Sequence, residues 1–323
     1  MDSTFLEEQR QKPKEPFLAR APEWADVVHG EDDDLKFLER DQLSDLRREL
    51  LTQLVERMER GTSGLHILSV VGPPGEGKST LVRGVAAQLV EERRVVVADA
   101  GANLFAMPTS VDDYAERLSE LADAGRPVLL LLDDPFFDDS EWPGLLQKLA
   151  ARPGGRIAAL TASPEFLYSR YEARLRGPIH KHRFDVRPPT KQERDRFAQL
   201  YGRDPTQWRA TEGDFLVMAM EAAAGIPFDS IVDRLWITLN DGKPFPPEGD
   251  LSQLPWTVRA LLLVSFFHRG YVACPESLLH AALVESGGTG ASGSVTTALS
   301  QLKNAEGWCV FRLSSKKKRA YLG

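Results

Sequence analysis

The run Gly72-Pro73-Pro74-Gly75-Glu76-Gly77-Lys78-Ser79 has the spacing G-x-x-x-x-G-K-[ST]. Those residue types in that order hold phosphate. Glycines let successive backbone N–H groups curl around phosphate oxygens without a clash from Cβ. A helix starting near Lys78 points its positive end at the same anion. Lys78 adds a full charge for the β- and γ-phosphates, and Ser79 offers a hydroxyl to a magnesium ion. Thr80 follows in the first helical turn and is counted with the binding residues. The expected ligands are ATP or ADP with Mg2+.

A second carboxylate motif suits the first. Asp133 and Asp134 follow five apolar residues, Val128 to Leu132, in the manner of a Walker B motif. A carboxylate at the C-terminal end of a buried strand holds magnesium through water, the role expected of Asp133. Asp134 is the candidate to orient the attacking water, with Lys78 as its partner in catalysis. Aspartate reaches less far than glutamate, so slow hydrolysis is expected. The competing reading is a solvated acidic turn, since Asp138 and Asp139 lie close by.

Other candidates carry less information. Thr161 and Ser163 end an apolar run, where a polar side chain senses a γ-phosphate or merely reflects β-propensity and a turn. Arg170, Arg174 and Arg176 are expected on a helix, either as an arginine finger or as a solvated face. Gly225-Ile226-Pro227 reads as a helix-ending glycine and a helix-starting proline. Lys316-Lys317-Lys318-Arg319 is a basic cluster, a solvated hairpin tip or a contact to nucleic-acid backbone.

The elements that must position these residues follow from periodicity. Leu65 to Val71, Arg94 to Ala98, Val128 to Leu132 and Ile157 to Thr161 are continuous apolar runs separated by helical patterns. Such strands imply a parallel sheet covered on both faces. Phe184 to Val186 is expected to add a last strand. Before the sheet, Asp41 is expected to cap a helix through Met58 with Leu43, Leu46, Leu50, Leu51, Leu54 and Val55 on its apolar face. After it, Thr190 with Glu193 spells a capping box. The expected organisation is a flexible arm at 1–16, a nucleotide-binding α/β domain at 17–188, a helical lid at 189–245 and a winged-helix domain at 250–323. The last rests on three helical stretches and a hairpin, Trp308 to Leu313 paired with Arg319 to Leu322.

Bulk properties exclude several classes. The chain has 323 residues and a net charge of −7, from 40 basic and 47 acidic side chains, so it is not basic throughout like a nucleic-acid glove. Two cysteines, Cys274 and Cys309, are too few for a disulfide framework and fit a reducing, cytoplasmic setting. The N-terminus lacks the apolar stretch of a signal peptide. The longest apolar run, Ala260 to Phe267, is too short to cross a bilayer, so no membrane is expected.

The order of P-loop, double-aspartate strand, polar strand end, G-x-P and winged helix resembles the STAND class of signal-transduction ATPases, which includes NB-ARC and NACHT proteins. In that class the G-x-P proline lies against the nucleotide, a role the resemblance gives to Pro227. The stretch from Phe17 to Val28 is similar to the N-terminal segment of bacterial members, so Val27 and Val28 are expected to hold the adenine. The resemblance implies an ATP-driven switch that controls oligomerisation and signalling, as in antiviral defence. Self-association on activation is expected, with effector and ligand-sensing domains supplied from outside this stretch of chain. Thr161-Ala162-Ser163 departs from the class, which often has an arginine after the sensor strand. An origin-recognition type AAA+ ATPase, binding DNA through its winged helix, is the alternative. The acidic charge and a recognition helix with Lys303 as its sole basic residue weigh against DNA.

Overall fold

A computed structural model describes residues 2–10, 24, 40–73, 75–100, 110–133, 141–152 and 154–200, with short pieces at 259, 274–275, 278, 281–283, 297 and 319–320. The chain divides into two compact units, Met1–Gly225 and Ile226–Gly323.

In the first unit, five strands form one parallel sheet: β1 (Leu65–Val71), β2 (Val96–Asp99), β3 (Val128–Asp133), β4 (Ile157–Ser163) and β5 (Ile179–Asp185). Their spatial order is β2-β3-β4-β1-β5. The sequence dictates the centre of this order. Every residue of β1 and β3 is buried, as continuous apolar runs require when helices cover both faces. Register pairs Val71 with Ser163 and Asp133 with Ala162, so the ends of β1, β3 and β4 lie level. β5 begins earlier than the sequence suggests. It is an edge strand paired to β1, and its His-Lys-His-Arg stretch carries no apolar signal.

The helices complete the layers. α1 spans Ser3–Arg10, where a loose arm was expected. Its Leu6 is 1% exposed and joins the main core, which is why the segment is ordered. α2 (Gln42–Leu50) passes into a π-helical stretch, Leu51–Val55, and then α3 (Glu56–Glu59). The expected regular helix to Met58 is therefore interrupted by a wider turn, which keeps Leu50, Leu54, Val55 and Met58 all buried. Each fully buried leucine of this stripe stabilises the fold by about 2 kcal/mol. Asp41 stands at the start of α2 but makes no side-chain cap; its carboxylate accepts from Arg196 instead.

α4 (Lys78–Glu91) packs its apolar face into the same core. α5 (Val111–Asp123) is capped by Ser110, whose Oγ accepts from Asp113 N at 3.1 Å. α6 spans Trp142–Ala150 and α7 Glu165–Glu172. α8 (Lys191–Leu200) starts with the expected capping box: Glu193 N donates to Thr190 Oγ1 at 3.1 Å and Thr190 N to Glu193 Oε2 at 2.7 Å.

In the second unit, β6 (Cys274–Pro275) pairs antiparallel with β7 (Arg319–Ala320). The expected partner strand from Trp308 to Leu313 and the remainder of the lid and winged helix lie outside the described residues. Among the described residues, no helix is long and apolar enough to cross a membrane.

Candidate functional site

β1 ends at Val71 and α4 begins at Lys78, so the glycine loop lies at the C-terminal edge of the sheet, after the strand between β4 and β5. Gly75 and Gly77 have φ of +81° and +76°, a region that side chains with Cβ rarely adopt. Gly77 is the residue before the helix, and its backbone turns the first amides of α4 toward the loop. Glu76 and Lys78 are buried, and Lys78 Nζ donates to Pro73 O at 2.7 Å. The lysine thus spans the loop from within, with its ammonium on the loop's own carbonyl. Pro74 lies outside the described residues.

Asp133 closes the other side. Ser79 Oγ donates to Asp133 Oδ1 at 2.9 Å across the gap between α4 and β3. The hydroxyl and the carboxylate expected to serve magnesium are therefore in contact. Their donor set, a hydroxyl and a carboxylate beside a phosphate-binding loop, is all oxygen and fits a hard cation. Thr80 is half-buried on the same turn. Asp134, Val27, Val28 and Pro227 lie outside the described residues.

Two expectations change. Thr161 does not end its strand; β4 runs on to Ser163. Thr161 Oγ1 donates to Ser69 Oγ at 2.9 Å, a fully buried cross-strand bond that occupies the hydroxyl. Among the described residues, Ser163 Oγ is the buried hydroxyl without a hydrogen-bond partner, and Ser163 O accepts from Gly72 N at 3.4 Å. The polar group next to the loop is thus Ser163. Of the arginines, only Arg170 lies in α7. Arg170 and Arg174 both stack over the Tyr171 ring, at 5.7 Å and 4.9 Å, while Arg176 is exposed.

Two residues at the site, and a tryptophan at the end of β2, have roles that the sequence does not reveal. Arg40, 5% exposed, donates Nη1 to Glu76 O at 2.8 Å, Nη2 to Arg187 O at 2.7 Å and Nε to Glu193 Oε1 at 2.8 Å. It ties the glycine loop to the first turn of α8. Burial pushes the Glu193 carboxyl up, but hydrogen bonds from Thr190, Arg40 and Asp41 outweigh burial and hold it below its ordinary value. Arg83, on α4, donates to Asp133 Oδ2 at 3.0 Å. Trp24 Nε1 donates to Asp99 Oδ2 at 2.7 Å, which holds this indole at the end of β2. No spacing rule links residues so far apart in the chain.

A second cluster lies at the opposite end of the sheet. His66, His180 and His182 share one face of β1 and β5, and with Arg57, Thr62 and Ser63 they line a cleft of about 330 Å³. Thr62 Oγ1 donates to Arg57 O, so it accepts from His66 Nε2 at 3.3 Å. His66 Nδ1 then accepts from His182 Nε2 at 3.5 Å. Burial, followed by the charges of His180, His182 and Arg57, lowers His66 to about 4. Among the described residues, no group of three or more His, Cys, Asp or Glu is arranged to hold a metal ion.

A parallel sheet with a lysine-bearing glycine loop after an interior strand, facing a strand-end aspartate, defines a P-loop NTPase. Residues 17–176 match the model of the family described as Novel STAND NTPase 5, which supports a STAND-class NTPase. No curated protein matches the sequence. Among solved structures, the chain is similar to C. elegans PCH-2 at 16% identity and TM-score 0.36, over 69% of this chain and 66% of that one. It is also similar to the Aeropyrum pernix ORC2 protein in its ADPNP-ADP complexes, at 14% identity and TM-score 0.37, over 87% and 88% of the two chains. The Aeropyrum pernix ORC1 protein in complex with DNA matches at 12% identity and TM-score 0.46, over 93% and 92%. At these TM-scores the likenesses carry no argument about the site.

Proposed function

We propose that this chain is an ATP-controlled switch, in which the state of the P-loop is passed to the helical segment that begins with α8. The observation that carries this reading is the position of Arg40. One guanidinium holds the Glu76 carbonyl of the loop and the Glu193 carboxylate of α8. A phosphate that reshapes the loop therefore changes the footing of α8.

Each residue has a part in this reading. The loop amides and Lys78 bind the phosphates, with the lysine trading Pro73 O for phosphate oxygen. Ser79 and Asp133 would hold Mg2+, which when bound neutralises charge on the phosphates. Asp134 orients the attacking water, and Ser163 meets the terminal phosphate. Val27, Val28 and Pro227 take their roles at the base and ribose from the family resemblance alone. The proposed result of switching is self-association and signalling, as in antiviral defence. The pairing of β6 with β7 supports a winged helix, since that fold pairs a short strand between its helices with its last strand.

Nucleotide drives such a switch only if it binds two states with different affinity. The test is to denature the purified protein and identify the released nucleotide, then compare amide exchange across α8 with ADP and with a non-hydrolysable ATP analogue. Lys78→Ala is expected to come out empty and to stay unassembled. Equal exchange across α8 in the two nucleotide states overturns the switch, and nucleotide retained by Lys78→Ala overturns the site.

A further inference from the structure

Arg83 lies four residues beyond Ser79 on α4, so the two share one helical face. That face meets the end of β3, and both side chains reach the same carboxylate. Ser79 takes Oδ1 of Asp133 at 2.9 Å and Arg83 takes Oδ2 at 3.0 Å. Arg83 is 5% exposed and Asp133 7%. Removing two charges from water costs several kcal/mol per ion, which only their mutual attraction and hydrogen bonds offset. A guanidinium in this place is therefore not a surface charge. It neutralises the carboxylate that Ser79 contacts.

We propose that Arg83 is a built-in counter-cation that sets the magnesium requirement of nucleotide binding. This rests on the reading of Asp133 as the magnesium carboxylate. Without a divalent ion, the Arg83–Asp133 pair presents no net negative charge to an incoming phosphate, so nucleotide binds without metal. When magnesium arrives, it must share Asp133 with a guanidinium of the same sign, so more magnesium is needed to tighten binding. Arg83 touches Asp133 and the Ser79 carbonyl, at 3.5 Å, and acts on the nucleotide through them as a positioning residue. A switch that must keep its nucleotide through swings in free magnesium gains from this arrangement.

The test measures affinity for a fluorescent ATP analogue in EDTA and through a magnesium titration, together with the melting shift caused by magnesium alone. Arg83→Met exposes the nucleotide to an uncompensated carboxylate. Its affinity in EDTA falls about tenfold and its half-saturating magnesium falls about tenfold, a change worth about 1.4 kcal/mol in each case. Its melting temperature rises with magnesium more than that of the wild type. Arg83→Lys keeps the charge and stays near the wild type. Arg83→Met with wild-type magnesium dependence overturns the proposal. Should Arg83→Met fail to fold, Arg83→Gln in an Asp133→Asn background leaves no buried charge alone. That pair is expected to bind as Asp133→Asn does, and a further loss in EDTA overturns the proposal by showing that Arg83 contacts nucleotide itself. Magnesium dependence unchanged in Asp133→Asn overturns the reading of Asp133, whatever Arg83 does.

Discussion

Arg40 Nε lies 2.8 Å from Glu193 Oε1, with the two side chains 4% and 1% exposed. The partners stand on either side of the sheet domain in sequence, one before α2 and one at the start of α8. Breaking a buried pair from one side strands the other charge. Arg40→Ala is expected to lower unfolding stability by about 3 kcal/mol, read from urea midpoints. Glu193→Gln keeps a capping-box side chain for Thr190 and leaves Arg40 its two carbonyl acceptors, so its loss is expected to be about 1–2 kcal/mol. An Arg40→Ala protein within about 1 kcal/mol of wild type refutes the bridge as a structural element.

Lys78 separates binding from folding. Nucleotide at a hundredfold excess over its dissociation constant adds about 2.7 kcal/mol to the stability of a protein that binds it only when folded. The wild type is expected to show that gain on addition of ATP in a thermal melt, and Lys78→Ala to show none. The variant also loses the hydrogen bond to Pro73 O, so its own nucleotide-free melt is the reference for its shift. A nucleotide-induced shift of wild-type size in Lys78→Ala contradicts the assigned role.

Much of this was legible in the sequence for a definite reason. β1, β3 and β4 are mostly apolar and almost wholly buried because helices cover both faces, and the phosphate loop is a local pattern that needs no knowledge of the fold. The start of β5 was not legible, since an edge strand is free to carry His180, Lys181, His182 and Arg183. Arg40 and Arg83 were hidden for another reason. Their partners lie 153 and 50 residues away, at positions fixed only when α2, α4, β3 and α8 pack. The π-helical stretch is likewise a response to packing, because Leu50, Leu54 and Val55 must all reach one core.

Thr161 and Ser163 give opposite expectations although both are fully buried hydroxyls. Thr161→Val removes the bond to Ser69 and leaves Ser69 Oγ without that partner, at a cost of about 1–2 kcal/mol. Its nucleotide affinity is expected to be unchanged. Ser163→Ala removes a hydroxyl that has no hydrogen-bond partner, so its nucleotide-free stability is expected to equal or exceed that of the wild type by about 1 kcal/mol. Its preference for ATP over ADP is expected to fall. Calorimetric titration of both nucleotides decides the matter: a loss confined to Thr161→Val reverses the assignment.

The histidine cluster makes the fold sensitive to acid. His66 titrates at about 4 in the folded protein against an ordinary value of 6.5, with burial the main cause and the charges of His180, His182 and Arg57 adding to it. His182 is lowered in the same direction by burial, His180 and Arg57, with Glu49 opposing. As pH falls below 6.5, the unfolded chain takes up a proton that folded His66 refuses until about 4. The stability tied to neutral His66 is therefore complete above 6.5 and drains away between 6.5 and 4. Glu193, held below its ordinary 4.5, releases its contribution in a lower window, so the two effects separate. Urea midpoints between pH 7.5 and pH 4.5 are expected to fall in the wild type. His66→Gln, which cannot take a proton, is expected to flatten that slope, leaving the part due to His182. A slope equal to the wild type's in His66→Gln places the acid sensitivity elsewhere in the chain.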